Sequence, residues 1–434
     1  MRTTGERRSL RLNVLAMGGF TVVRGLLAFA ASLVITRGLS TDDRGVYGFV
    51  TGTTTVLLML AGLGIGSAMT RARAADSATT QDLYRASFAI GAANGLLASG
   101  LFFLAYVLGR ASLFSGVTWG EAVTVMLVLP PMLVLSHWTV VSYLDDRIVE
   151  INRAYTVAGL LLLVGVGTVG LAGGLTAATV VIVWAVAGLL PLLTMLRPSR
   201  VRGAFSRVSL VGQLVGFGLR ANIATVALVL VWRVDVFLVK GYRGLTELAM
   251  YGVAVALCEI MLSVAVSLRV ALTPRQGDRS DRAGLVAAIS TATRLTIAAG
   301  VTAALVLGLL AEPIVVHLYG ERYADAAGAM RWLVPGIVAL VVQGPLLDFL
   351  LAEGKVAGVT VITVASVVIN IALNITLLPD HTFVAAAVAS TVTYALSSVL
   401  ILALFVREAA VGWRRMLVAT PADVRAVVRR SHST

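Results

Sequence analysis

The sequence is poor in the residues that build metal sites and catalytic centres. It contains one cysteine, Cys258, and four histidines that do not cluster in the sequence. A single cysteine excludes an internal disulfide and a metal site built from cysteines. The chain also lacks the G-x-x-x-x-G-K-[ST] phosphate loop and the H-E-x-x-H and G-x-S-x-G motifs, so hydrolysis of ATP and two common catalytic arrangements are excluded. We therefore expect no metal, no resident cofactor and no enzyme activity.

Charged residues are also scarce, and long hydrophobic runs fill the chain. Hydrophobic residues make up 58% and charged residues 13% of the sequence, and the mean hydropathy is +0.91. A helix that crosses a bilayer needs about 20 mostly apolar residues, and continuous runs favour helices over a transmembrane barrel. The sequence therefore predicts an all-α polytopic membrane protein with about 12 transmembrane helices. The predicted spans are residues 14–36, 46–69, 85–108, 118–142, 154–173, 176–196, 209–239, 245–271, 285–311, 328–351, 356–378 and 383–405.

The basic residues predict how these helices are oriented. The chain has 35 Lys and Arg and a net charge of +13. If the N-terminus is cytoplasmic, 25 of the 35 basic residues fall in cytoplasmic segments. Such an excess of basic residues is typical of the cytoplasmic side of a membrane protein. We therefore expect both termini on the cytoplasmic side of the membrane, with anionic lipid rather than nucleic acid as the partner of the surplus charge. The others are Arg37, Arg44, Arg110, Lys240, Arg243, Arg322 and Arg331 on the outer side and Arg24, Arg220 and Arg233 within the spans.

Both ends of the chain place basic residues beside apolar ones. At the start, an apolar stretch with Ala28-Phe29-Ala30 resembles a cleaved signal peptide. The stretch is too long and Arg24 interrupts it, which favours a first spanning helix. At the other end, Arg407–Arg430 mixes Trp413 and other apolar residues with arginines. This composition predicts either an amphipathic helix on the membrane surface or a disordered basic tail.

A pattern shared by two segments predicts two six-helix halves. The first predicted helix runs into RGLSTDDRGVYGFV at Arg37–Val50, and the seventh runs into KGYRGLTELAMYGVA at Lys240–Ala254. Six helices per half give both halves the same orientation, so they form two bundles related by a pseudo-twofold axis along the membrane normal. Transporters with such repeats bind their substrate between the halves. We assign residues 1–203 to an N-terminal bundle, 204–406 to a C-terminal bundle and 407–434 to a basic cytoplasmic tail.

Five charged residues within the predicted spans are the candidate site. Arg24 is in the first span, Arg220, Arg233 and Asp235 are in the seventh, and Glu259 is in the eighth. An arginine at the centre of a spanning helix costs about 2.5–3.5 kcal/mol on insertion scales, so such residues usually face a wet cavity or a partner. In one interpretation the three arginines bind an anionic headgroup, and either carboxylate is a proton or sodium site. In the other, arginine–carboxylate pairs lock neighbouring helices and Arg233 reaches the outer interface.

Three other polar residues within the spans have simpler interpretations. His137 is a lone histidine beside Trp138, which is typical of a packing residue. Asn370 and Asn374 are four positions apart and so share one helix face. Hydrogen bonds between helices are favoured over substrate contact for this pair.

Several segments resemble one family of membrane proteins, in the same order along the chain. They are ITRGLSTDDRGVYGFV at Ile35–Val50, FGLR at Phe217–Arg220, WRVDVFLV at Trp232–Val239, MYGVAVALCE at Met250–Glu259, LYGERYADAAGAMRWLVPG at Leu318–Gly336 and LAEGKVAGVTVITVASVVINIALNITLLPDHTFVAAAVAST at Leu351–Thr391. On these segments the chain resembles the Wzx-type oligosaccharide flippases of the multidrug/oligosaccharidyl-lipid/polysaccharide flippase superfamily over nearly its whole length. It departs from them at His381-Thr382-Phe383, where the family usually carries a glycine.

The resemblance implies movement of an undecaprenyl-diphosphate-linked oligosaccharide from the inner to the outer leaflet, for cell-surface polysaccharide biosynthesis. Guanidinium groups can replace water at a diphosphate. Moving two negative charges outward gains roughly 4–5 kcal/mol per 100 mV, so coupling to H⁺ or Na⁺ is optional. The expected partners are the polyprenyl-diphosphate-linked oligosaccharide, anionic membrane lipids and glycan polymerase machinery. Two alternatives remain: a cation-coupled multidrug antiporter, whose cavity should favour carboxylates, and a membrane glycan polymerase or ligase, which should have a sizeable outer loop.

Overall fold

The computed structural model describes residues 4–202, 208–221, 223–276 and 282–417, with side chains throughout except at 4–18, 198–199, 220–221, 223–225, 228 and 261–276. Within these ranges the regular elements are helices. The chain divides by its internal contacts into two compact units, Met1–Ala249 and Met250–Thr434. The predicted joint between residues 203 and 204 lies outside the described ranges and stays a prediction.

The described residues of the first unit form nine helices and the start of a tenth. Four of the helices follow a residue that is suited to the N-cap position: Ser40, Thr79, Thr118 or Thr176. The three threonines each form a complete capping box. The helices are α1 (Thr4–Gly38), α2 (Thr41–Ala61), α3 (Ile65–Ala74), α4 (Thr80–Gly109), α5 (Trp119–Leu144), α6 (Ile148–Leu171), α7 (Ala177–Met195), α8 (Pro198–Val201), α9 (Val208–Ala221) and α10 (Ile223–Gln276).

The long helix α10 is interrupted at Gly244. This residue has φ 82° and ψ −170°, a conformation that residues other than glycine rarely adopt. A glycine at this position therefore lets the chain turn between two helical stretches. The predicted seventh and eighth spans, residues 209–239 and 245–271, fall on α9 and on the two parts of α10.

In the second unit, six further helices follow α10 among the residues that the structure describes. They are α11 (Arg282–Leu309), α12 (Ala311–Tyr319), α13 (Ala326–Ala352), α14 (Val356–Leu377), α15 (Val384–Ala409) and α16 (Trp413–Leu417), with a 3₁₀ turn at Glu321–Tyr323. The predicted basic tail begins inside α15, and Met416 of α16 is fully buried in the apolar core of this unit. The first residues of the predicted tail therefore pack on the unit, and residues 418–434 lie outside the described ranges.

The described helices confirm an all-α polytopic membrane protein. Nine of them are long and apolar enough to cross a membrane, and the pair α2 and α3, bent by 40°, makes ten if it is one span. The sequence predicts one continuous span at residues 46–69, which covers most of α2 and the start of α3. The structure instead breaks it, with Leu63 and Gly64 in left-handed conformations. The side-chain amide of Asn94 donates a hydrogen bond of 3.0 Å to the carbonyl oxygen of Ala61. This bond supplies a donor to a carbonyl group at the end of α2, where the helical hydrogen bonds stop.

Helices α4 and α5 cross closely at a proline. Pro130 has no N–H, so it leaves the carbonyl oxygen of Met126, four residues earlier, without its usual helical donor. Ser99 of α4 donates a hydrogen bond of 2.8 Å to that oxygen. Gly95 permits this approach, because a β carbon there would lie 2.3 Å from Cα of Pro130.

Substitution of Gly95 should therefore destabilise the first unit. We expect Gly95→Leu to lower the free energy of unfolding by at least about 1–3 kcal/mol, since the added atoms meet backbone. The measurement is the thermal unfolding of the purified protein in detergent. Gly100→Leu on the same helix is the matched control, because a β carbon there meets nothing within 4 Å. Equal unfolding temperatures for the two variants would contradict the crossing described above.

Arg200 on α8 is buried rather than solvated, although the sequence groups it with the loop arginines. It is 6% exposed, and its guanidinium carbon lies 4.0 Å from the centre of the Tyr84 ring and 5.9 Å from that of Trp138. Its Nη1 donates a hydrogen bond of 2.6 Å to the carbonyl oxygen of Met195. Burial lowers the pKa of the Arg200 guanidinium, which still remains protonated at neutral pH. These contacts attach α8 to α4, α5 and the end of α7.

Candidate functional site

Arg24 lies half-buried on α1, against α6. Its Nη1 donates a hydrogen bond of 3.3 Å to Oδ1 of Asn152, and its guanidinium carbon is 4.9 Å from the centre of the Tyr155 ring. Asn152 and Tyr155 are three residues apart and so share one face of α6. The hydroxyl of Tyr155 is hydrogen-bonded to that of Thr139 on α5 at 2.8 Å. Three helices thus fix the position of this guanidinium group.

The partners of Arg24 are electrically neutral. Across the described residues, its contacts are an amide oxygen and an aromatic ring, with no carboxylate among them. An arginine carries five N–H donors in a planar arrangement, and one of them is used by Asn152. The positive charge and the remaining donors are therefore suited to a bound anion.

The remaining arginine candidates lie on α9 and α10. Arg220 is in the last turn of α9, and its side chain lies outside the described residues. Arg233 is half-buried on α10, before the break at Gly244. Neither is among the described partners of Arg24. A cavity shared by the three arginines therefore stays a prediction.

The two candidate carboxylates lie on opposite sides of the break in α10. Asp235 is 3% exposed, and the backbone N–H of Val236 donates a hydrogen bond of 2.8 Å to its Oδ1. Glu259 is half-buried on the part of α10 that follows Gly244. Their suggested role as proton or sodium sites also stays a prediction.

The weaker polar candidates lie in packed surroundings. His137 is 4% exposed, with Nδ1 3.4 Å from the carbonyl oxygen of Ser87, as expected of a packing residue. Asn370 and Asn374 are both fully buried, and the amide of Asn374 donates bonds of 2.9 and 3.2 Å to the carbonyl and side-chain oxygens of Asn370. These bonds run within α14 rather than to another helix.

The two segments that share a sequence pattern touch each other at the end of the first unit predicted to face outward. The hydroxyl of Thr246 donates a hydrogen bond of 2.5 Å to Oδ1 of Asp42. A β carbon on Gly45 would lie 2.2 Å from the carbonyl oxygen of Leu245, so the backbones meet without an intervening side chain. We call Asp42, Gly45, Leu245 and Thr246 the outer contact.

Aromatic and charged side chains close the space beside the outer contact. Phe49 is 1% exposed and meets Phe114 and Phe237 edge-on, at 5.6 and 5.8 Å between ring centres. Lys240 is 5% exposed and donates a hydrogen bond of 3.0 Å to the hydroxyl of Ser115. These contacts pack three parts of the unit against one another at this end: the start of α2, the turn after α4 and the region of α10 around its break.

Sequence patterns did not identify the groups around Arg24 or in the outer contact. Asn152 and Tyr155 carry only a weak signal in the sequence: their spacing of three would place both on one helix face, but Asn152 lies before the predicted span 154–173. The distribution of basic residues predicts an outer-side position for Lys240, and no pattern in the sequence indicates that this side chain is buried. Contacts such as Gly45 with Leu245 join positions far apart in the chain, which local periodicity does not report.

Two family profiles match the sequence. The profile described as polysaccharide biosynthesis protein matches residues 10–278, which is more than half of the chain. The MatE profile matches residues 221–376. No curated protein matches the sequence.

Solved structures of flippases and multidrug transporters share the fold. The lipid II flippase MurJ, in an inward closed conformation, has a TM-score of 0.70 and 14% identity, covering 90% of this chain and 87% of MurJ. An inward-facing MATE multidrug resistance transporter has a TM-score of 0.66 and 11% identity, covering 92% and 98%. A transporter of the same superfamily from Pyrococcus furiosus, described as having a binding pocket of reverse polarity, has a TM-score of 0.57 and 12% identity, covering 92% and 94%.

These findings confirm the resemblance seen in the sequence segments. The polysaccharide biosynthesis profile covers both of the segments that share a sequence pattern, and the solved structures show the same fold. The chain belongs to the polysaccharide biosynthesis protein family, and its fold is the one seen in MurJ and in the MATE transporters.

Proposed function

We propose that this transporter moves a polyprenyl-diphosphate-linked oligosaccharide, with undecaprenol as the lipid, from the inner to the outer leaflet of a bacterial inner membrane. The product serves cell-surface polysaccharide biosynthesis, and glycan polymerase machinery is the expected recipient. Both termini are cytoplasmic in this proposal. The family membership supports it, and MurJ, which shares the fold, is itself a lipid II flippase.

The observation that carries the proposal is the environment of Arg24. A diphosphate linked to sugars cannot cross hydrocarbon without groups that replace its water. Arg24 offers a guanidinium within a spanning helix, held in place by Asn152 and Tyr155 and not neutralised by a carboxylate in the described part of the chain. Arginine suits this role because its planar donors match two phosphate oxygens at once. Arg220 and Arg233 would add to the same anion site.

The driving force can be electrical. Outward movement of two negative charges gains roughly 4–5 kcal/mol for each 100 mV of a potential that is negative inside. Asp235 and Glu259 are the groups through which H⁺ or Na⁺ would couple, if the transporter uses an ion. The flipping rate in vesicles without an ion gradient, measured before and after the potential is collapsed, distinguishes an electrical driving force from an ion-coupled one.

Removal of the Arg24 charge should weaken transport. We expect Arg24→Gln to lower the rate of flipping by about 10-fold or more, since one charge-assisted hydrogen bond contributes about 1.5–3 kcal/mol. The assay uses proteoliposomes that contain a fluorescent polyprenyl-diphosphate-linked oligosaccharide, and it follows the fraction that a membrane-impermeant quencher can reach. Arg24→Lys should retain part of the rate, because it keeps the charge but loses the planar donors.

The control for this experiment is Arg37→Gln. Arg37 lies in the last turn of the same helix and is exposed, so its replacement changes the net charge equally without altering the proposed site. Wild-type flipping by Arg24→Gln, or an equal loss in both variants, would refute the assignment of Arg24.

A cation-coupled multidrug antiporter is the second candidate. The match to the MatE profile at residues 221–376 favours it, and this range contains Asp235 and Glu259. Export of a cationic dye that is lost in Asp235→Asn or Glu259→Gln, without flipping of the glycolipid, would replace the first proposal by this one.

A further inference from the structure

A pocket of about 470 Å³ opens between α3 and α9 in the first unit. Its volume is in the range of sites that bind small ligands. The wall from α3 includes Ala68, Ala72 and Arg71, and the wall from α9 includes Leu214 and Phe217. Most of the lining is apolar, and Arg71 is the charged residue in it. The pocket therefore combines an apolar surface with one positive charge.

The shape of this pocket follows from the break between α2 and α3. Gly218 of α9 lies against that break, since a β carbon there would be 2.4 Å from the carbonyl oxygen of Leu63. This close contact fixes one end of α9 on the start of α3. The two helices then leave space between them toward Arg71 and Gln213. Gly212 and Gly216 add no side chain to fill it, and a β carbon on either would meet nothing within 4 Å.

Two arginines on α3 differ in their partners. Arg73 forms an ion pair of 3.0 Å with Asp76, and both side chains are exposed. Arg71 instead lies over the Phe217 ring, with its guanidinium carbon 4.5 Å from the ring centre. Among the described residues Arg71 has no carboxylate partner. Stacking on a ring orients the guanidinium while leaving its N–H edge available to an anion.

The position of the pocket indicates what kind of anion it meets. Arg71 lies near the end of a broken span and belongs to the group of basic residues that predict the cytoplasmic side. A group at that depth meets the phosphate layer of the membrane, where basic side chains attract anionic lipids. The apolar walls beside Arg71 can contact the first carbons of a lipid chain.

We propose that the pocket between α3 and α9 binds the phosphate headgroup of a membrane lipid, with Arg71 on the phosphate and the walls from α3 and α9 on the attached chain. Two lipids offer this chemistry, so the proposal holds whether the occupant is a resident lipid or the lipid of the transported substrate. One is phosphatidylglycerol, a resident anionic lipid, and the other is a polyprenyl diphosphate.

The experiment measures lipid binding by native mass spectrometry of the full chain in neutral detergent. The probes are phosphatidylglycerol, undecaprenyl diphosphate and inorganic pyrophosphate, each titrated separately. Arg71→Gln should weaken binding of one lipid molecule by about 10-fold, because a charge-assisted contact is lost. Arg73→Gln, on the same helix with the same change of charge, should change the affinity by less than about twofold, because its partner is Asp76.

A second variant tests the pocket without changing charge. Gly216→Leu places a side chain in the open space, so it should weaken lipid binding as strongly as Arg71→Gln while the unfolding temperature stays that of the wild type. The lipid whose binding falls in both variants is the natural occupant. Equal losses in Arg71→Gln and Arg73→Gln, unchanged binding in Gly216→Leu, or binding of pyrophosphate as tight as that of the lipids would overturn the proposal.

Discussion

Cross-linking residue 42 to residue 246 should stop transport almost completely. The cysteine pair Asp42→Cys and Thr246→Cys replaces the two side chains that form the hydrogen bond of the outer contact. Transport by alternating access requires that the site opens to the outer side in one step of the cycle. A covalent link at a contact that must separate should therefore lower the flipping rate by about 10-fold or more, with recovery after reduction.

The chain suits this cross-linking experiment because its one cysteine is Cys258, which is 1% exposed and can be replaced by alanine as the background. A short thiol-bridging reagent supplies the link where the sulfur atoms are too far apart for a disulfide. The control pair is Gly38→Cys and Leu175→Cys, which joins neighbouring residues of the predicted first half at the same end. Full transport by the protein linked at 42 and 246 would show that the outer contact does not separate during the cycle.

A side chain at Gly45 should have the second large effect. A β carbon there would lie 2.2 Å from the carbonyl oxygen of Leu245, and a backbone atom cannot move aside as a flexible side chain can. We expect Gly45→Val to destabilise the closed outer contact by about 1–3 kcal/mol. That free energy is a shift of roughly 5- to 150-fold in the equilibrium between closed and open forms.

Two measurements check the effect of Gly45→Val. The yield of the cross-link between residues 42 and 246 should fall, and the flipping rate should fall by about 10-fold or more if closure is required in each cycle. Gly241→Val is the matched control, since a β carbon at this exposed position of α10 meets nothing within 4 Å. An unchanged cross-link yield in Gly45→Val would mean that the backbones do not meet there in the membrane.

Helices were predictable from the sequence because their signal is local. A run of apolar residues indicates a spanning helix without information from the rest of the chain. The N-cap residues Ser40 and Thr79 likewise mark where two helices begin. The break between α2 and α3 was not predictable. Leu63 adopts a left-handed conformation that leucine disfavours, and contacts with α4 and α9 around the break stabilise it.

The sequence selects candidate site residues for a different physical reason, and their role in binding an anion stays a prediction. The cost of burying a charge within a spanning helix singles out Arg24 together with the four other charged candidates. The same argument does not tell which neighbours an arginine meets. The sequence places Arg44 and Arg200 outside the predicted spans, yet both are buried. Nε of Arg44 donates a hydrogen bond of 2.9 Å to the hydroxyl of Thr36, and Arg200 lies against two aromatic rings. Such contacts depend on how helices adjoin, which a single sequence does not encode locally.

The outer contact has a consequence for how this chain evolves. Its two sides come from segments with one shared pattern, which is the arrangement left when a gene for a symmetric pair of chains is duplicated and fused. In such a pair every mutation would appear on both sides of the contact at once. Here the equivalent positions Asp42 and Thr246, which are 204 residues apart as Tyr47 and Tyr251 are, carry different side chains, so the copies are no longer interchangeable. Each side of the contact now mutates separately. A mutation on one side must therefore be compensated by a different mutation on the other side.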